Sequence, residues 1–180
     1  PDGADGKGIY MEKCAPCHGD TGLGDGAQGI QLPVTVIPIG LPEFAQQASP
    51  VEWYTVVTQG NIDRFMPPFA SLTEQERWDV VAYAFTLHTT GEQLETGKTI
   101  FDETCADCAD TFRSQEMMSA LSPNDLVRMM REGAENLPPF GTDLSDEDAY
   151  AVAAYIRTLP FAPLASIAAE SATATPAPAA

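Results

Sequence analysis

The clearest pattern of hydrophobic and polar positions lies near the middle of the chain, between Thr73 and Leu87. Its hydrophobic residues recur at the spacing of one face of an α-helix, and they are Trp78, Val81, Ala82 and Phe85. Thr73 followed by Glu76 is the sequence of a capping box, in which side chains satisfy backbone N–H groups at a helix N-terminus. The pattern predicts a helix over 73–87, with Gly91 as a stop.

Similar start signals predict further helices, beginning near Asp5 or Gly6, at Ser49, at Ser122 and at Ser145. The helix that begins near Asp5 is expected to run to about Cys14. Residues 32–42, LPVTVIPIGLP, are apolar and β-branched, but their three prolines favour an extended loop over a sheet strand. No strand pattern competes, so the predicted fold class is all-α.

The chain contains an internal repeat. Residues 6–17 and 97–108 align without gaps and are identical at seven of twelve positions, and later segments align as well, namely 49–60 with 122–133 and 66–87 with 137–159. The offset falls from 91 to 73, so 18 residues are missing from the loop that follows the second cysteine pair. We therefore expect tandem domains over 1–91 and 92–162, followed by an Ala/Pro-rich tail over 163–180 that is either a linker or a frayed C-terminus.

The net charge of the chain limits the kinds of partner that it is expected to bind. The chain has 26 acidic and 9 basic residues, a formal net charge of −17 and a pI near 4.1. Such a surface repels nucleic acid and attracts basic partners, although the surplus charge can also serve only solubility. No stretch approaches the roughly 20 apolar residues of a transmembrane helix, so none is expected in this chain. The start at Pro1 indicates either a removed export signal or a fragment.

The candidate chemistry lies in CAPCH at 14–18. Cys14 and Cys17 are spaced so that both thiols can add to the vinyl groups of one haem, and His18 then lies beneath the iron as its proximal ligand. The alternatives are a thioredoxin-type redox pair, which needs a strand before the motif, and half of a zinc site, which needs two more ligands. Neither context is present, so we predict one covalently attached haem c.

The first half resembles the class I cytochromes c through GKGIYMEKCAPCHGDTGLGDG at 6–26, FMPPF at 65–69 and LTEQERWDVVAYAFTL at 72–87. It is also similar to short bacterial cytochrome c domains that occur singly or in tandem in respiratory complexes. The resemblance implies that Met66, just before a proline, is the second axial ligand of the haem iron. The alternatives are a methionine that only fills the core and ligation by His88, for which a solvated histidine is the ordinary explanation.

The resemblance also implies a hydrogen bond from the proximal histidine to a proline carbonyl, for which Pro33 is preferred over Pro38. Gly6 and Tyr10 on the first helix, with Tyr83 on the last, match the residues by which the family crosses these helices closely.

The second copy departs from the family at both iron ligands. Ala109 stands in place of the histidine and Leu137 in place of the methionine, and the intervening loop is short. We therefore predict no haem in this half, the alternative being a haem ligated from elsewhere. Cys105 and Cys108 are expected to form a disulfide in an oxidising compartment, against the alternatives of two free thiols or a metal half-site.

These observations together predict a monohaem electron-transfer protein, an electron carrier and not an enzyme in its own right, whose second domain is structural or serves docking. The expected partners are redox proteins with basic docking surfaces and other subunits of an oxidoreductase complex. The expected location is periplasmic or otherwise extracytoplasmic, with or without a tether outside this chain. The alternatives are a haem-based sensor or enzyme with a displaceable methionine, and a structural assembly subunit.

Overall fold

The computed structural model describes residues 3–135 and 137–160. Within this part of the chain there is no β-strand, only two isolated bridges, and the all-α prediction is confirmed. The tail predicted over 163–180 lies outside the described residues. In chain order the helices are α1 (Gly3–Lys13), α2 (Ala15–His18), α3 (Pro42–Ala45), α4 (Pro50–Gln59), α5 (Glu74–Ala84), α6 (Gly91–Cys105), α7 (Gln115–Ala120), α8 (Pro123–Glu132) and α9 (Asp146–Thr158). Three 3₁₀ segments lie at Gly29–Gln31, Ile62–Arg64 and Ala106–Phe112.

Both halves are built around one close helix crossing. In the first half (residues 3–90), α1 packs on α5, and a Cβ on Gly6 would come within 2.0 Å of the carbonyl oxygen of Asp79. In the second half (residues 91–160), α6 packs on α9, and a Cβ on Gly97 would come within 2.0 Å of the carbonyl oxygen of Ala151. Glycine at both positions removes the atom that would otherwise keep the helices apart.

Aromatic pairs lie next to each crossing at equivalent positions of the repeat. The rings of Tyr10 and Tyr83 are 5.2 Å apart in the first half, and those of Phe101 and Tyr155 are 5.5 Å apart in the second. These separations are within the range in which aromatic pairs attract each other. The duplication seen in the sequence is therefore preserved in the helix packing.

Most helix starts follow the predicted signals. The capping boxes of Ser49 with Glu52, Thr73 with Glu76, and Ser122 with Asp125 are all formed, and Ser145 accepts a hydrogen bond from the backbone of Asp148.

Two boundaries differ from the prediction. Helix α5 ends at Ala84, before Leu87, and Gly91 is the first residue of α6. The prediction that Gly91 is a stop was wrong because Thr90 and Gln93 form a capping box that starts a new helix there.

The two cores differ in extent. Among the described residues, the buried cluster of the first half comprises Tyr10, Ala15, Val80, Tyr83 and Ala84. The second half has twelve buried members in one cluster, and its aromatic side chains contact one another across the helices. Every large hydrophobic side chain that is exposed in the described chain lies between Met11 and Phe65, in the first half. The second half therefore closes its core with its own side chains, whereas the first half leaves apolar groups uncovered.

The halves contact each other directly. The backbone N–H of Asn124, in the first turn of α8, donates to the carbonyl of Gln46, which follows α3. The guanidinium of Arg157 on α9 lies 5.6 Å above the ring of Phe85, which follows α5. Ala82 on α5 also packs against the core of the second half.

Candidate functional site

The candidate site is formed around the short helix α2, which carries the Cys-x-x-Cys-His motif. Cys14 is the N-cap of this helix, Pro16 lies in its first turn, and Cys17 and His18 form its end. The Cys14 side chain packs against the first-half core together with Trp53. The motif is thereby held against the α1–α5 crossing.

Glycines let the following loop wrap closely around the motif. A Cβ on Gly29 would lie 2.2 Å from the carbonyl oxygen of Cys17, and one on Gly26 would lie 2.4 Å from that of Ala15. Gly24 has φ +79°, a left-handed conformation that glycine adopts without steric cost, and its N–H donates to the carbonyl of His18. This loop fixes the backbone on both sides of the histidine.

A second contact connects the motif to α1. The hydroxyl of Tyr10 donates a buried hydrogen bond of 2.9 Å to the carbonyl of Gly19, directly after His18. Burial raises the pKa of Tyr10, so this hydroxyl keeps its proton. The same tyrosine thus supports both the helix crossing and the position of the motif.

His18 is mostly buried, and its Nδ1 has no hydrogen-bond partner in the described structure. Burial lowers the pKa of His18, and a backbone interaction with Ile37 opposes that shift. Pro33 and Ile37 are both exposed, and Ile37 directly precedes Pro38 in the sequence. The assignment of Pro33 as the partner of His18 therefore stays a prediction.

Burial, followed by the nearby Cys17, raises the pKa of the Cys14 thiol to about 12. A redox-active dithiol needs the opposite shift, because the thiolate is its reactive form. Among the described residues, no three His, Cys, Asp or Glu side chains are placed to hold a metal ion. The motif therefore fits neither a thioredoxin-type pair nor a zinc site.

Met66 lies at the end of a tight loop in the first half. Its backbone forms two hydrogen bonds with Asn61, of 2.8 and 3.0 Å, and Gly60 with φ +73° packs against its carbonyl. Phe65, just before it, has the left-handed φ of 60°, which is uncommon for a bulky side chain. The loop holds the backbone of Met66 firmly while its side chain stays partly exposed.

The corresponding part of the second half is shorter. Its isolated bridge joins Ala134 to Leu137, so two residues separate the bridge partners where the first half has four between Asn61 and Met66. Leu137 is buried with 3% exposure. In place of a partly exposed methionine this half has a core leucine.

The second cysteine pair lies at the end of α6. A disulfide joins Cys105 and Cys108, whose Cα atoms are 5.2 Å apart, whereas Cys14 and Cys17 are both free. Ala109, at the position of the histidine, packs against a core that contains Phe112 and Met118, both with no exposure.

The residues present in the first half fit a covalently bound haem. The cysteines provide two thiols, the histidine ring has an unpartnered buried nitrogen, and apolar side chains that a porphyrin could cover lie uncovered nearby in sequence. The second half lacks both the nitrogen and the uncovered apolar groups in its described part. A site that sequence reasoning did not identify lies around His88, which is partly buried and whose Nδ1 is buried without a hydrogen-bond partner in the described structure.

A family model described as "Cytochrome C oxidase, cbb3-type, subunit III" matches the chain twice, over residues 1–83 and 92–156. One similar solved structure is described as the Kuenenia stuttgartiensis reducing HAO-like protein complex Kustc0457/Kustc0458, with 19% identity and a TM-score of 0.40. The alignment covers 86% of this chain and 95% of that chain. No curated protein matches. No helix in the described residues is both long and apolar enough to span a membrane.

Proposed function

Because the chain belongs to the family of cytochrome c oxidase, cbb3-type, subunit III, and is a c-type cytochrome with tandem domains, we propose that it transfers electrons through a single haem c. The haem is attached to Cys14 and Cys17 of the domain over 1–91. The domain over 92–162 carries no haem.

The observation that carries this proposal is the difference between two copies of one fold. The first copy has His18 with an unpartnered nitrogen, and the second has Ala109 against a filled core. The first copy exposes apolar side chains. Such exposure is expected of a domain whose apolar surface is covered by a cofactor and not by its own side chains. The second copy has enough packed side chains to stand without one.

The side chains of the first half have separate roles in this proposal. His18 and Met66 would hold the haem iron, and the loop through Gly24 and the hydroxyl of Tyr10 hold the backbone at His18 in place. The bridge between Asn61 and Met66 holds the methionine backbone. When bound, the haem would supply reversible one-electron chemistry, which suits electron transfer.

The carbonyl of Ile37 supports His18 in this proposal in preference to Pro33. The backbone of Ile37 interacts with the His18 ring, and Nδ1 of that ring is buried without a hydrogen-bond partner in the described structure. A hydrogen bond of this kind fixes the ring orientation and makes the other nitrogen a better ligand.

The second half serves docking and structural support. Four surface ion pairs are formed among its described residues, and many further carboxylates have no basic residue to balance them. The excess negative charge would attract redox partners that have basic surfaces. Other subunits of an oxidase complex are proposed as neighbours. Covalent haem and the Cys105–Cys108 disulfide suit an extracytoplasmic compartment, because disulfides persist where the environment is oxidising.

The proposal is tested by haem stoichiometry. A pyridine haemochrome assay combined with intact mass should return one haem per chain. The double variant Cys14→Ala, Cys17→Ala should lose it, and the matched variant Cys105→Ala, Cys108→Ala should keep it. Two haems per chain, or haem that survives loss of the first cysteine pair, would contradict the proposal.

A second candidate, a sensor or enzyme with a displaceable methionine, is favoured by one observation, the partial exposure of the Met66 side chain. Carbon monoxide separates the two functions. The reduced wild-type protein should not bind it, whereas Met66→Ala should. Rapid binding by the wild type would favour the sensor. A purely structural subunit would lose no electron flow in Met66→Ala if assembly is intact.

A further inference from the structure

A cavity of about 550 Å³ lies between the two halves, away from the Cys-x-x-Cys-His motif. Its wall is formed by the segment after α5, by the first turn of α6 and by one face of α9. Sites for small ligands have volumes of roughly 300–1,000 Å³ and are mostly apolar with a few polar groups. The cavity has this size, and its wall carries both apolar and polar groups.

Arg157 is the buried charged group of the cavity wall, with 7% exposure. Its guanidinium donates to the carbonyls of Met118 and Leu121, at 2.5 and 2.7 Å, which uses two of its five N–H donors. Lys98 and three arginines of the second half form ion pairs with carboxylates, whereas these acceptors of Arg157 are neutral. Burial lowers its pKa to about 10, so it remains a cation at neutral pH.

His88 lies in the same wall, and its Nδ1 is buried without a hydrogen-bond partner in the described structure. Burial, followed by the charge of Arg157, lowers its pKa to about 4. The ring is therefore neutral at pH 7 and can carry its proton on Nδ1 as a donor. An unpaired buried polar atom is costly, so a ligand atom that accepts from Nδ1 would stabilise the site.

The charges that face the cavity select the kind of ligand. Arg157 and the neutral imidazole of His88 are donors, which suits an acceptor-rich group. Glu92 also lines the cavity, and Asp125 interacts electrostatically with Arg157, so both oppose a second negative charge. Phe85 and Ala153 offer apolar surface beside the donors.

We propose that this cavity binds a small organic monoanion, whose oxyanion group accepts hydrogen bonds from Arg157 and His88 and whose apolar part lies against Phe85 and Ala153. A carboxylate and a singly charged phosphate ester present the same acceptor chemistry. Because both halves contribute donors, an occupied cavity would also hold the halves together. The proposal does not depend on the haem, so its failure would leave the electron-transfer proposal intact.

The test follows the imidazole of His88 by NMR in the haem-loaded protein. The chain has two histidines, and His18 is the one assigned to the haem, so one titrating imidazole is expected, and its absence in His88→Leu identifies it. Benzoate is the carboxylate probe and phenyl phosphate the phosphate probe, each compared with chloride at equal ionic strength. An anion beside His88 favours its protonated form, so a bound probe should raise the pKa of His88. By reciprocity, the affinity for the anionic form of each probe, corrected for the probe's own protonation, should rise as the pH falls through that pKa.

Variants assign the donors. Arg157→Gln should weaken binding of the probe by about tenfold or more, because a hydrogen bond to a charged group is lost. Arg157→Lys should retain part of the affinity, and Arg113→Gln, which removes an exposed cation that pairs with Asp110, should change nothing. His88→Leu, which leaves Arg157 in place, should weaken binding and remove its dependence on pH.

Two results would overturn the proposal. One is that neither probe changes the His88 signal more than chloride does. The other is that binding is unchanged in His88→Leu and in every Arg157 variant that folds. Stronger binding of benzoate than of phenyl phosphate would assign the site to carboxylates, and the reverse order would assign it to phosphate esters.

Discussion

The closeness of the α6–α9 crossing can be measured through Gly97→Ala. The new Cβ would lie 2.0 Å from the carbonyl oxygen of Ala151 and 2.9 Å from the backbone nitrogen of Val152, where ordinary contacts are 3.4–4 Å. The atoms in contact with the new Cβ belong to the backbone, which cannot move away as a flexible side chain can. The helices must therefore separate by about 1 Å or more. Overpacking of this kind costs roughly 3 kcal/mol at the upper end, and the better helix propensity of alanine returns about 1 kcal/mol.

We therefore expect Gly97→Ala to lower the free energy of unfolding by about 2 kcal/mol, or the melting temperature of the second half by roughly 10 °C. The matched control is Gly8→Ala on α1, because a Cβ there meets nothing within 4 Å and should stabilise the protein slightly. Urea unfolding is followed by far-UV circular dichroism for both halves and by tryptophan fluorescence for the first half, which contains both tryptophans. If Gly97→Ala unfolds at the same urea concentration as the wild type, or a higher one, the crossing is not as close as described.

Three further predictions concern the second half and its contact with the first. Phe112→Ala should cost about 3–5 kcal/mol, because this fully buried ring contacts two other aromatic rings, and calorimetry that finds a small change would contradict the packing. The double variant Cys105→Ser, Cys108→Ser should lose at most about 2 kcal/mol in urea unfolding, since so short a loop restrains the unfolded chain little. The folded-state pKa of His88, about 4, lies below its ordinary value of 6.5, so the unfolded chain binds the proton first. Stability should therefore fall as the pH decreases from about 6.5 to about 4, and a wild-type profile that His88→Leu does not flatten would contradict this.

The helix starts could be predicted from the sequence because each depends on a few adjacent residues. Ser49 and Ser122 each form a capping box with the acidic residue three positions later, and both capping boxes are present in the structure. The prediction for Gly91 was wrong because glycine is common just after the end of a helix but can also follow the N-cap residue at the start of one. Thr90 with Gln93 was the signal that could have shown this.

For the candidate site, too, local features could be predicted from the sequence, and features that depend on distant residues could not. The Cys-x-x-Cys-His motif is local, so its chemistry could be predicted from spacing alone, and haem attachment at these residues stays a prediction. The partner of His18 depends on how the loop over 32–42 folds back, and proline position alone does not give that path. The environment of His88 could not be predicted, because it includes Arg157, which is distant in sequence, lies above the ring of Phe85 and lowers the pKa of His88 by its charge.

The filled core of the second half makes it difficult for this domain to regain a haem site by single substitutions. Ala109→His would return an imidazole to a place where Phe112 and Met118 are already enclosed, and the loop at Leu137, which lacks the methionine, is two residues shorter than its counterpart in the first half. One reversion would bring no gain on which selection could act, whereas each side chain that fills the interior adds stability. If the second copy carries no haem, as proposed, it is expected to evolve further as a structural domain and not to regain a cofactor.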